Sequence, residues 1–391
     1  MSKSSMLRTN PNACPLAVKC GGCQLQNMTY DRQLKWKQVR EEILLRRFGK
    51  VEEIIGADEP CAYRNKTTAA FALSRGGKAI SGVYQSGSHS VVPTDECMTE
   101  DRASLAIIAD IRRLLSDFKL TVYDRRTERG VLRHVLVRRG FFTGEVMVVL
   151  AVKSAKFPLR REFAEKLVSL HPEIKTVVMN VSPGKVDLVL GERDEVLFGD
   201  GFITDVLCGM KFRISPRSFY QINHAQTEKL YALAMEMAEL DGTEKVIDAY
   251  CGIGTIGLVA AKNVGAVIGV ESNPDAVRDA EKNAKLNCVE NAVFFCEDAG
   301  KYLEDAASRG EKCDVLFMDP PRAGSSKKFI ESVAVMRPEK VVYISCNPET
   351  LARDLSLFTR RGYKTRRIVP VDMFPQTNHV ETVVLMSRDK E

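Results

Sequence analysis

The stretch KVIDAYCGIGTIGLVA, Lys245–Ala260, decides the fold of the second half of the chain. It begins with the apolar, β-branched character of a buried strand and ends with that of a helix. Gly252 and Gly254 let a ligand approach the backbone in the turn between them. Glu271 ends the next apolar run, 17 residues after Gly254, where its carboxylate can accept hydrogen bonds from two ribose hydroxyls. The pattern indicates S-adenosylmethionine or a dinucleotide, and the acidic Asp248 favours S-adenosylmethionine. The alternative is a plain strand–helix turn.

Residues 206–391 continue this alternation of strand and helix. Five apolar runs, KVIDAY, AVIGVE, AVFFC, CDVLFMD and VVYIS, are separated by helical segments, which is typical of βαβ units in a doubly wound parallel sheet. Two further strand-like runs, Thr365–Asp372 and Glu381–Ser387, have no helix between them. We therefore predict an α/β domain whose parallel sheet ends in an antiparallel hairpin, the arrangement of Rossmann-like S-adenosylmethionine methyltransferases.

Acidic residues follow four successive strands: Asp248, Glu271, Asp298 and Asp319. Ligands of open α/β sheets bind at the carboxyl ends of the strands, so we expect these carboxylates to share one rim with the cofactor. Acidic residues contribute little to an apolar core, so packing alone does not explain carboxylates at the ends of four successive strands. The run Asp319-Pro320-Pro321-Arg322 is similar to a motif of nucleic-acid base methyltransferases.

A cysteine stands between a strand and a helix on the same predicted rim. Cys346 follows VVYIS, and Asn347-Pro348 begins the next helix. A helix N-terminus lowers the pKa of a thiol and makes it a better nucleophile, so we expect a lowered pKa here. Beside a methyl donor, a thiolate that adds to C6 of uracil converts the ring to an enolate whose C5 can attack the methyl group. The alternative is a small buried side chain, the usual role of a free cysteine.

That reaction also needs a base to remove the C5 proton, so that the thiol can leave. Glu381, in QTNHVETVVLM, is the first candidate, and His379 is its rival. Strand alternation predicts that both side chains lie on one face. An isolated histidine is more often structural, which favours Glu381.

Residues 212–391 resemble the RNA uracil-C5 methyltransferase family, which forms 5-methyluridine. The matching runs are SFYQIN, DAYCGIGTIGL, GVE, MDPPRAG, ISCNP and FPQTNHVETV. Carried over position by position, the family implies Cys346 as nucleophile, Glu381 as base and Arg322 near the target base. It implies S-adenosylmethionine contacts at six residues: Gln221, Tyr250, Thr255, Glu271, Asp298 and Asp319. Two of these, Gln221 and Tyr250, rest on the resemblance alone.

Cysteines near the N-terminus form a second motif. Cys14, Cys20 and Cys23 are closely spaced, with Cys97 as a fourth candidate and Cys61 as its rival. Thiolate-only sites suit Zn²⁺ or an iron–sulfur cluster, and the spacing leaves both open. The ribosomal RNA branch of the family has a similar pattern, including a YRNK run, and carries a 4Fe–4S cluster there. This resemblance favours the cluster, with Cys97 as the fourth ligand.

Charge and composition bear on the partner. Hydrophobic residues make up 45% of the chain and charged residues 28%, which excludes a largely disordered protein. Lys and Arg exceed Asp and Glu by seven before residue 206, and Asp and Glu exceed them by one after it. A basic first half suits a polyanion such as RNA, whereas the alternative is a solvated face without a partner. The densest basic stretch holds six arginines: Arg125, Arg126, Arg129, Arg133, Arg138 and Arg139.

We predict three segments: residues 1–60 form an iron–sulfur segment with a helix, residues 61–205 an α+β RNA-binding domain, and residues 206–391 the methyltransferase domain. Many relatives carry an RNA-binding TRAM domain before the cluster. Here 13 residues precede Cys14, so we expect no such domain, and RNA affinity should rest on the first two segments. Apolar runs are far shorter than the ~20 residues of a membrane span. With no signal-peptide pattern, we expect a cytoplasmic protein without a membrane or an obligate protein partner.

The leading interpretation is an enzyme that forms 5-methyluridine in 23S ribosomal RNA. One alternative is the same reaction on the T-loop of transfer RNA, although that branch typically lacks the cysteines. An alternative of another class is a catalytically inactive iron–sulfur protein that binds RNA or assists assembly, against which Cys346, Glu381 and Asp319 speak. A base-N methyltransferase is the last alternative, and it would not need Cys346.

Overall fold

The structure, a computed structural model, describes residues 13–183 and 188–388. The chain forms two compact units. Within the described residues, the first unit contains 13–29, 59–205 and 213–217, and the second contains 30–58, 206–212 and 218–388. Residues 30–58 thus group with the methyltransferase segment, whereas the sequence analysis placed them with the N-terminal cysteines.

The first unit is a mixed sheet with helices. Its strands are β1 (Lys66–Leu73), β2 (Ala79–Tyr84), β3 (Val91–Pro93), β4 (Leu132–Arg139), β5 (Val146–Val152), β6 (Ile174–Val181) and β7 (Arg193–Phe198). Its helices are α1 (Ala17–Cys20), α3 (Arg102–Asp117) and α4 (Arg160–Leu170). The strand order is β3-β2-β1-β4-β5-β6-β7. Among the described pairs of neighbouring strands, β5 and β6 are parallel and the others are antiparallel. These elements agree with the predicted α+β arrangement.

The core of this unit follows from its sequence pattern. β5, VMVVLAV, is buried at every position, as its uninterrupted apolar run predicts. α3 begins where the Asp101 carboxylate accepts a hydrogen bond from the Ser104 amide (2.9 Å). Its buried Ile107 and Ile111 are four residues apart and lie on the face that joins the core.

The second unit is a doubly wound sheet. Its strands are β10 (Lys245–Ala249), β11 (Ala266–Glu271), β12 (Ala292–Cys296), β13 (Val315–Met318), β14 (Lys340–Ser345), β15 (Lys364–Val371) and β16 (Glu381–Ser387). Its helices are α2 (Tyr30–Leu45), α5 (His224–Ala238), α6 (Thr255–Ala260), α7 (Pro274–Leu286), α8 (Ala299–Ser308), α9 (Lys327–Met336) and α10 (Pro348–Arg360). A separate two-stranded sheet contains β8 (Ile203–Leu207) and β9 (Met210–Ile214).

The order of this sheet creates a ligand crevice. The strands run β12-β11-β10-β13-β14-β16-β15; the first five are parallel, and β16 is antiparallel to both β14 and β15. The predicted antiparallel hairpin is therefore confirmed. β10 pairs with β11 on one side and with β13 on the other, so the connections leave in opposite directions. Such a switch point leaves a crevice at the carboxyl ends of the strands.

Helix α2 lies within residues 1–60, where the sequence analysis predicted a helix. Its apolar Val39 and Ile43 are exposed. The buried face instead carries Gln33, Lys37 and Glu41. The buried face is polar because it packs against polar groups of its own unit.

Among residues 13–183 and 188–388, no helix has both the length and the apolar composition needed to cross a bilayer.

Candidate active site

The turn after β10 depends on backbone conformations that favour glycine. Tyr250, Gly252 and Gly254 have φ angles of 66°, 56° and 82°. A Cβ at Gly254 would lie 3.2 Å from the side chains of Leu258 and Phe294, so packing also requires glycine there. A Cβ at Gly252 would meet no atom within 4 Å. The backbone at Gly252 therefore borders open space, as a cofactor cradle must.

Asp248 is fully buried at the end of β10 and ties this strand to α6. Its Oδ2 accepts a hydrogen bond from the amide of Gly257 (2.7 Å), whereas its Oδ1 has no hydrogen-bond partner within the described ranges. Burial, together with the carboxylates of Asp319 and Glu271, raises the pKa of Asp248 to about 7. Through this hydrogen bond, the carboxyl group of Asp248 fixes the turn between β10 and α6.

Glu271 is held at the end of β11 by two backbone amides. Its Oε2 accepts a hydrogen bond from Gly252 (3.2 Å) and its Oε1 accepts one from Asn273 (2.8 Å). The carboxylate is thus fixed beside the open glycine turn. A fixed acceptor at this position suits the hydroxyls of a ribose, as the sequence analysis expected.

The other predicted cofactor residues occupy strand ends and adjoining turns. Tyr250 places its hydroxyl 3.3 Å from Ser325 Oγ, and Thr255 Oγ1 lies 3.0 Å from the hydroxyl of Tyr231. Gln221 is buried shortly before α5. Asp298 is exposed, and its Oδ1 caps α8 by accepting a hydrogen bond from the backbone amide of Lys301 (3.0 Å).

This donor set fits S-adenosylmethionine. The fixed Glu271 carboxylate suits a ribose, the open backbone at Gly252 admits a ligand, and further carboxylates suit an amino group. Sequence reasoning missed the capping contact of Asp298, which gives this residue a structural role as well.

Cys346 lies at the junction of β14 and α10 and is half-buried. The predicted lowering of its pKa is wrong. Burial, with the carboxylates of Glu381 and Asp319, raises the pKa of the thiol to about 11, and Arg322 only partly opposes them. The helix N-terminus is outweighed because removal from water and two nearby acids all disfavour the thiolate.

Glu381 is a buried acid, and the charge of the half-buried Asp319 raises its pKa and that of Cys346. Glu381 begins β16 and is 4% exposed, and its Oε2 has no hydrogen-bond partner among the described residues. Burial, followed by the charge of Asp319, raises its pKa well above the ordinary value. Burial also raises the pKa of Asp319 to about 7. The structure thus brings together a thiol and two acids from three distant parts of the sequence.

His379, the rival base, has a different environment. β16 begins only at Glu381, so the predicted strand alternation does not extend to His379. Arg322 donates a hydrogen bond from Nη2 to the His379 ring (3.1 Å to Nε2). Burial, and then the charge of Arg322, lowers the pKa of His379. The histidine is therefore neutral and paired with the arginine that the resemblance places near the target base.

Helix α2 contributes residues that the sequence analysis missed. Glu41 is fully buried, its Oε2 accepts a hydrogen bond from Thr382 Oγ1 (2.9 Å), and its charge raises the pKa of Glu381. One turn earlier, Lys37 forms a buried ion pair with Asp372 (2.6 Å). Polar residues at positions 33, 37 and 41, four apart on one helix face, were the available signal.

The basic stretch of the first unit is only partly available to a polyanion. Arg125, Arg126 and Arg129 are exposed. Arg133 and Arg138 are buried within β4. Arg139 forms an ion pair with Asp101 (2.9 Å). Arg133 and Arg138 are therefore largely withdrawn from solvent and Arg139 is engaged by a carboxylate, so these three arginines mainly serve the fold.

The predicted cysteine ligands lie close together in the first unit. Burial, together with the thiols of Cys97, Cys20 and Cys14, raises the pKa of Cys23 to about 12. The pKa of Cys61 is raised by burial and by Glu59, not by these thiols. Within the described residues, no group of three or more His, Cys, Asp or Glu side chains has the compact arrangement that holds a metal ion.

Comparisons with known proteins extend over both units. The family described as tRNA (Uracil-5-)-methyltransferase matches residues 185–389. An uncharacterized RNA methyltransferase of Halalkalibacterium halodurans is 41% identical over 391 residues, which cover 98% of this chain and 85% of that protein. One of Caldanaerobacter subterraneus is 40% identical over 99% of this chain and 86% of its own length.

A solved structure is similar over almost the same extent. The tRNA (uracil-54, C5)-methyltransferase of Pyrococcus abyssi, in complex with S-adenosyl-L-homocysteine, has a TM-score of 0.76 and 29% identity. The similarity covers 94% of this chain and 86% of that chain.

Proposed function

This chain belongs to the tRNA (uracil-5-)-methyltransferase family, and from that premise we propose that it methylates C5 of a uridine in 23S ribosomal RNA. The family and the relatives identify the chain as an S-adenosylmethionine-dependent RNA methyltransferase. The observation that carries the proposed chemistry is the grouping of Cys346 with Glu381 and Asp319.

In this proposal Cys346 is the covalent nucleophile. Its Sγ forms a bond with C6 of the uracil, and the electron pair of the C5–C6 double bond moves into an enolate. C5 would then take the methyl group of bound S-adenosylmethionine, and the sulfur of the cofactor would keep the electron pair of the broken S–CH₃ bond. Arg322 lowers the pKa of the thiol, so its positive charge favours the thiolate that must form before the attack. An ion pair of this kind counts most when the bound RNA excludes water.

Glu381 is the proposed base. After methylation, its carboxylate takes the proton from C5, the double bond re-forms, and the Sγ–C6 bond breaks. Burial supports this role, because a raised pKa makes the carboxylate a stronger proton acceptor. Asp319 and Glu41 add to that rise through their charges. We assign them a positioning role around the base.

S-adenosylmethionine supplies an electrophilic methyl group when it is bound. Six residues would hold it in this proposal: Gln221, Tyr250, Thr255, Glu271, Asp298 and Asp319. The contacts that support the assignment are those of the turn after β10, where Glu271 is fixed by two amides and Gly252 borders open space.

The same proposal gives the first unit a 4Fe–4S cluster bound by Cys14, Cys20, Cys23 and Cys97. An all-thiol donor set suits such a cluster. Mutual influence of the four thiols supports their proximity. A cluster of four irons is wider than one ion, so its ligands need not have the compact arrangement of a single-ion site. Metal analysis of anaerobically purified protein tests this, with about four irons per chain expected. Cys61→Ser should keep the iron, and stoichiometric zinc without iron would refute the cluster.

Ribosomal RNA is proposed as the target because the four cysteines resemble the ribosomal RNA branch of the family. Transfer RNA is the second candidate, and the specific observation in its favour is the similarity to the transfer RNA uracil-54 enzyme of Pyrococcus abyssi. Either substrate places the protein in the cytoplasm, where we propose that it acts.

Mapping of 5-methyluridine by mass spectrometry separates these candidates. Ribosomal and transfer RNA from cells with and without the gene are digested and compared. We expect the modification to disappear from one or more positions of 23S ribosomal RNA and to persist in transfer RNA. Loss from the T-loop of transfer RNA alone would establish the second candidate instead.

A further inference from the structure

The first unit contains a cavity that neither the cofactor site nor the cysteine group uses. Its volume is about 340 Å³, at the lower end of the range for ligand pockets and suited to a single base. Its walls combine aromatic and basic side chains, among them Tyr84, His89, Tyr123, Arg125, Arg126 and His134. This combination is typical of sites that stack a base and neutralise a phosphate.

Tyr84 is an exposed aromatic ring held in a fixed orientation. It is 41% exposed, yet its hydroxyl lies 3.1 Å from Nε2 of His134. Its ring meets those of His89 and His134 edge to face, at centroid distances of 5.5 and 5.8 Å. A ring that is both oriented and accessible can stack on a base with little further loss of entropy.

Two buried side chains of the cavity wall keep unsatisfied polar atoms. Tyr123 is 8% exposed and His134 is 5% exposed. The hydroxyl of Tyr123 and Nδ1 of His134 have no hydrogen-bond partner in the part of the chain that the structure describes. Burying such atoms costs free energy and calls for an explanation. Burial, and then the charge of Arg133, lowers the pKa of His134 to about 4, so this ring is neutral and suits an uncharged base.

Positive charge lies beside these rings. Arg125 and Arg126 are exposed and follow Asp124, whose Oδ1 accepts a hydrogen bond from the Arg126 amide (2.7 Å) and so orders the turn. Nη1 of Arg125 lies 3.3 Å from Nδ1 of His89. Guanidinium groups on an ordered turn can bind a phosphate in two places at once.

We propose that this cavity binds one unpaired nucleotide of the RNA substrate, with the base against Tyr84 and the phosphate at Arg125 and Arg126. The nucleotide is other than the one methylated, because the cavity is lined by residues of the first unit alone. It must be unpaired, since only an unstacked base presents its face to an aromatic ring. The inference rests on the RNA methyltransferase function and deepens it.

Equilibrium binding of the full chain to two unmodified transcripts, 23S ribosomal RNA and transfer RNA, tests this site. Tyr84→Ala should weaken binding to the transcript that the wild-type chain methylates by about 5-fold to 100-fold. Tyr84→Phe keeps the ring and should stay within about threefold of wild type. Phe142→Ala is the matched control, since it removes another exposed aromatic ring of the first unit that does not line the cavity. Binding by Tyr84→Ala within twofold of wild type would overturn the proposal.

Photo-cross-linking of the wild-type chain covers the case in which Tyr84→Ala fails to fold. Transcripts that contain 4-thiouridine should cross-link to peptides that include Tyr84 or Tyr123. Cross-links found only in other peptides would overturn the site. The proposed function is tested separately, by measuring the 5-methyluridine that the wild-type chain forms in each transcript. If the wild-type chain methylates only transfer RNA, the proposal of a 23S target is wrong. The cavity is then still tested, with transfer RNA as the bound transcript.

Discussion

Two groups of carboxyl groups, one in each unit, have different surroundings. In the first unit, buried or half-buried carboxylates are matched by arginines, as in Arg64–Glu100 (3.1 Å) and Arg139–Asp101 (2.9 Å). In the second unit, Asp248 and Glu381 are buried and Asp319 is half-buried, next to or within the interior strands β10, β13 and β16, and burial raises the pKa of each. Paired charges stabilise the fold of the first unit, whereas burial raises the pKa of Asp248 and of Asp319 to about 7, so these two acids can exchange protons near neutral pH.

The exposed arginines extend this contrast. Arg125, Arg126 and Arg129 remain accessible in the first unit, where they can contact phosphates. The acids of the second unit surround a thiol instead. We infer that affinity for RNA and the chemical step depend on different units. Substitutions in one unit should therefore change one of these properties and leave the other intact.

Replacing the nucleophile should give the largest effect. Cys346→Ala should lower the formation of 5-methyluridine by more than about 10⁴-fold, because no other group can add to C6. Binding of RNA should be unchanged. The measurement is single-turnover transfer of a labelled methyl group. Cys288→Ala, which removes an exposed cysteine of the same unit, should keep full activity; normal turnover by Cys346→Ala would contradict the mechanism.

Replacing the base should give the next largest effect. Glu381→Gln should slow proton removal by about 10²- to 10⁴-fold while addition and methylation continue. A covalent complex with methylated RNA should then accumulate, which denaturing gels reveal. His379→Ala is the matched comparison and should release product normally. Rapid release by Glu381→Gln combined with slow methyl transfer would point to His379 or another base.

The pH dependence should follow the raised thiol pKa. Because burial and the nearby acids raise the pKa of Cys346 to about 11, its thiolate fraction should grow about tenfold per pH unit from pH 7 to 10. The rate of alkylation by iodoacetamide, followed on the peptide that contains Cys346, measures this. Glu381→Gln removes a negative charge and should shift the profile to lower pH. A profile that is flat above pH 7 would mean that the thiol is already ionised.

The arginine surface should give the smallest effect, confined to binding. Replacing Arg125, Arg126 and Arg129 with Ala should weaken RNA binding and flatten its salt dependence. Each lost phosphate contact should lower the slope by about 0.7 log units per log unit of salt. Affinity for S-adenosylmethionine, measured by calorimetry, should not change. If the salt dependence of RNA binding were unchanged, these arginines would be solvated side chains that do not contact RNA.

The sequence was sufficient for features that depend on local pattern. The glycine turn after β10, the parallel strands and the final hairpin follow from residues close together in the chain, and the structure confirms them. The polar face of α2 was not predicted, because Lys37 and Glu41 acquire their partners from residues more than 300 positions away. The raised pKa of Cys346 was missed for a different reason, because the burial of its thiol is set by the tertiary packing of the second unit. Its causes include burial and the acids at positions 319 and 381.

Trapping with 5-fluorouridine tests the central claim, that Cys346 forms a covalent bond with C6 of the target uracil. In such RNA, C5 carries fluorine in place of hydrogen. Glu381 can remove a proton from C5 but cannot remove fluorine, so the Sγ–C6 bond persists after methylation. With S-adenosylmethionine present, the wild-type chain should form a denaturant-stable adduct with a 5-fluorouridine 23S transcript, and the RNA fragment should map to the peptide that contains Cys346. Absence of this adduct when the ordinary transcript is methylated, or its persistence in Cys346→Ala, would contradict the account.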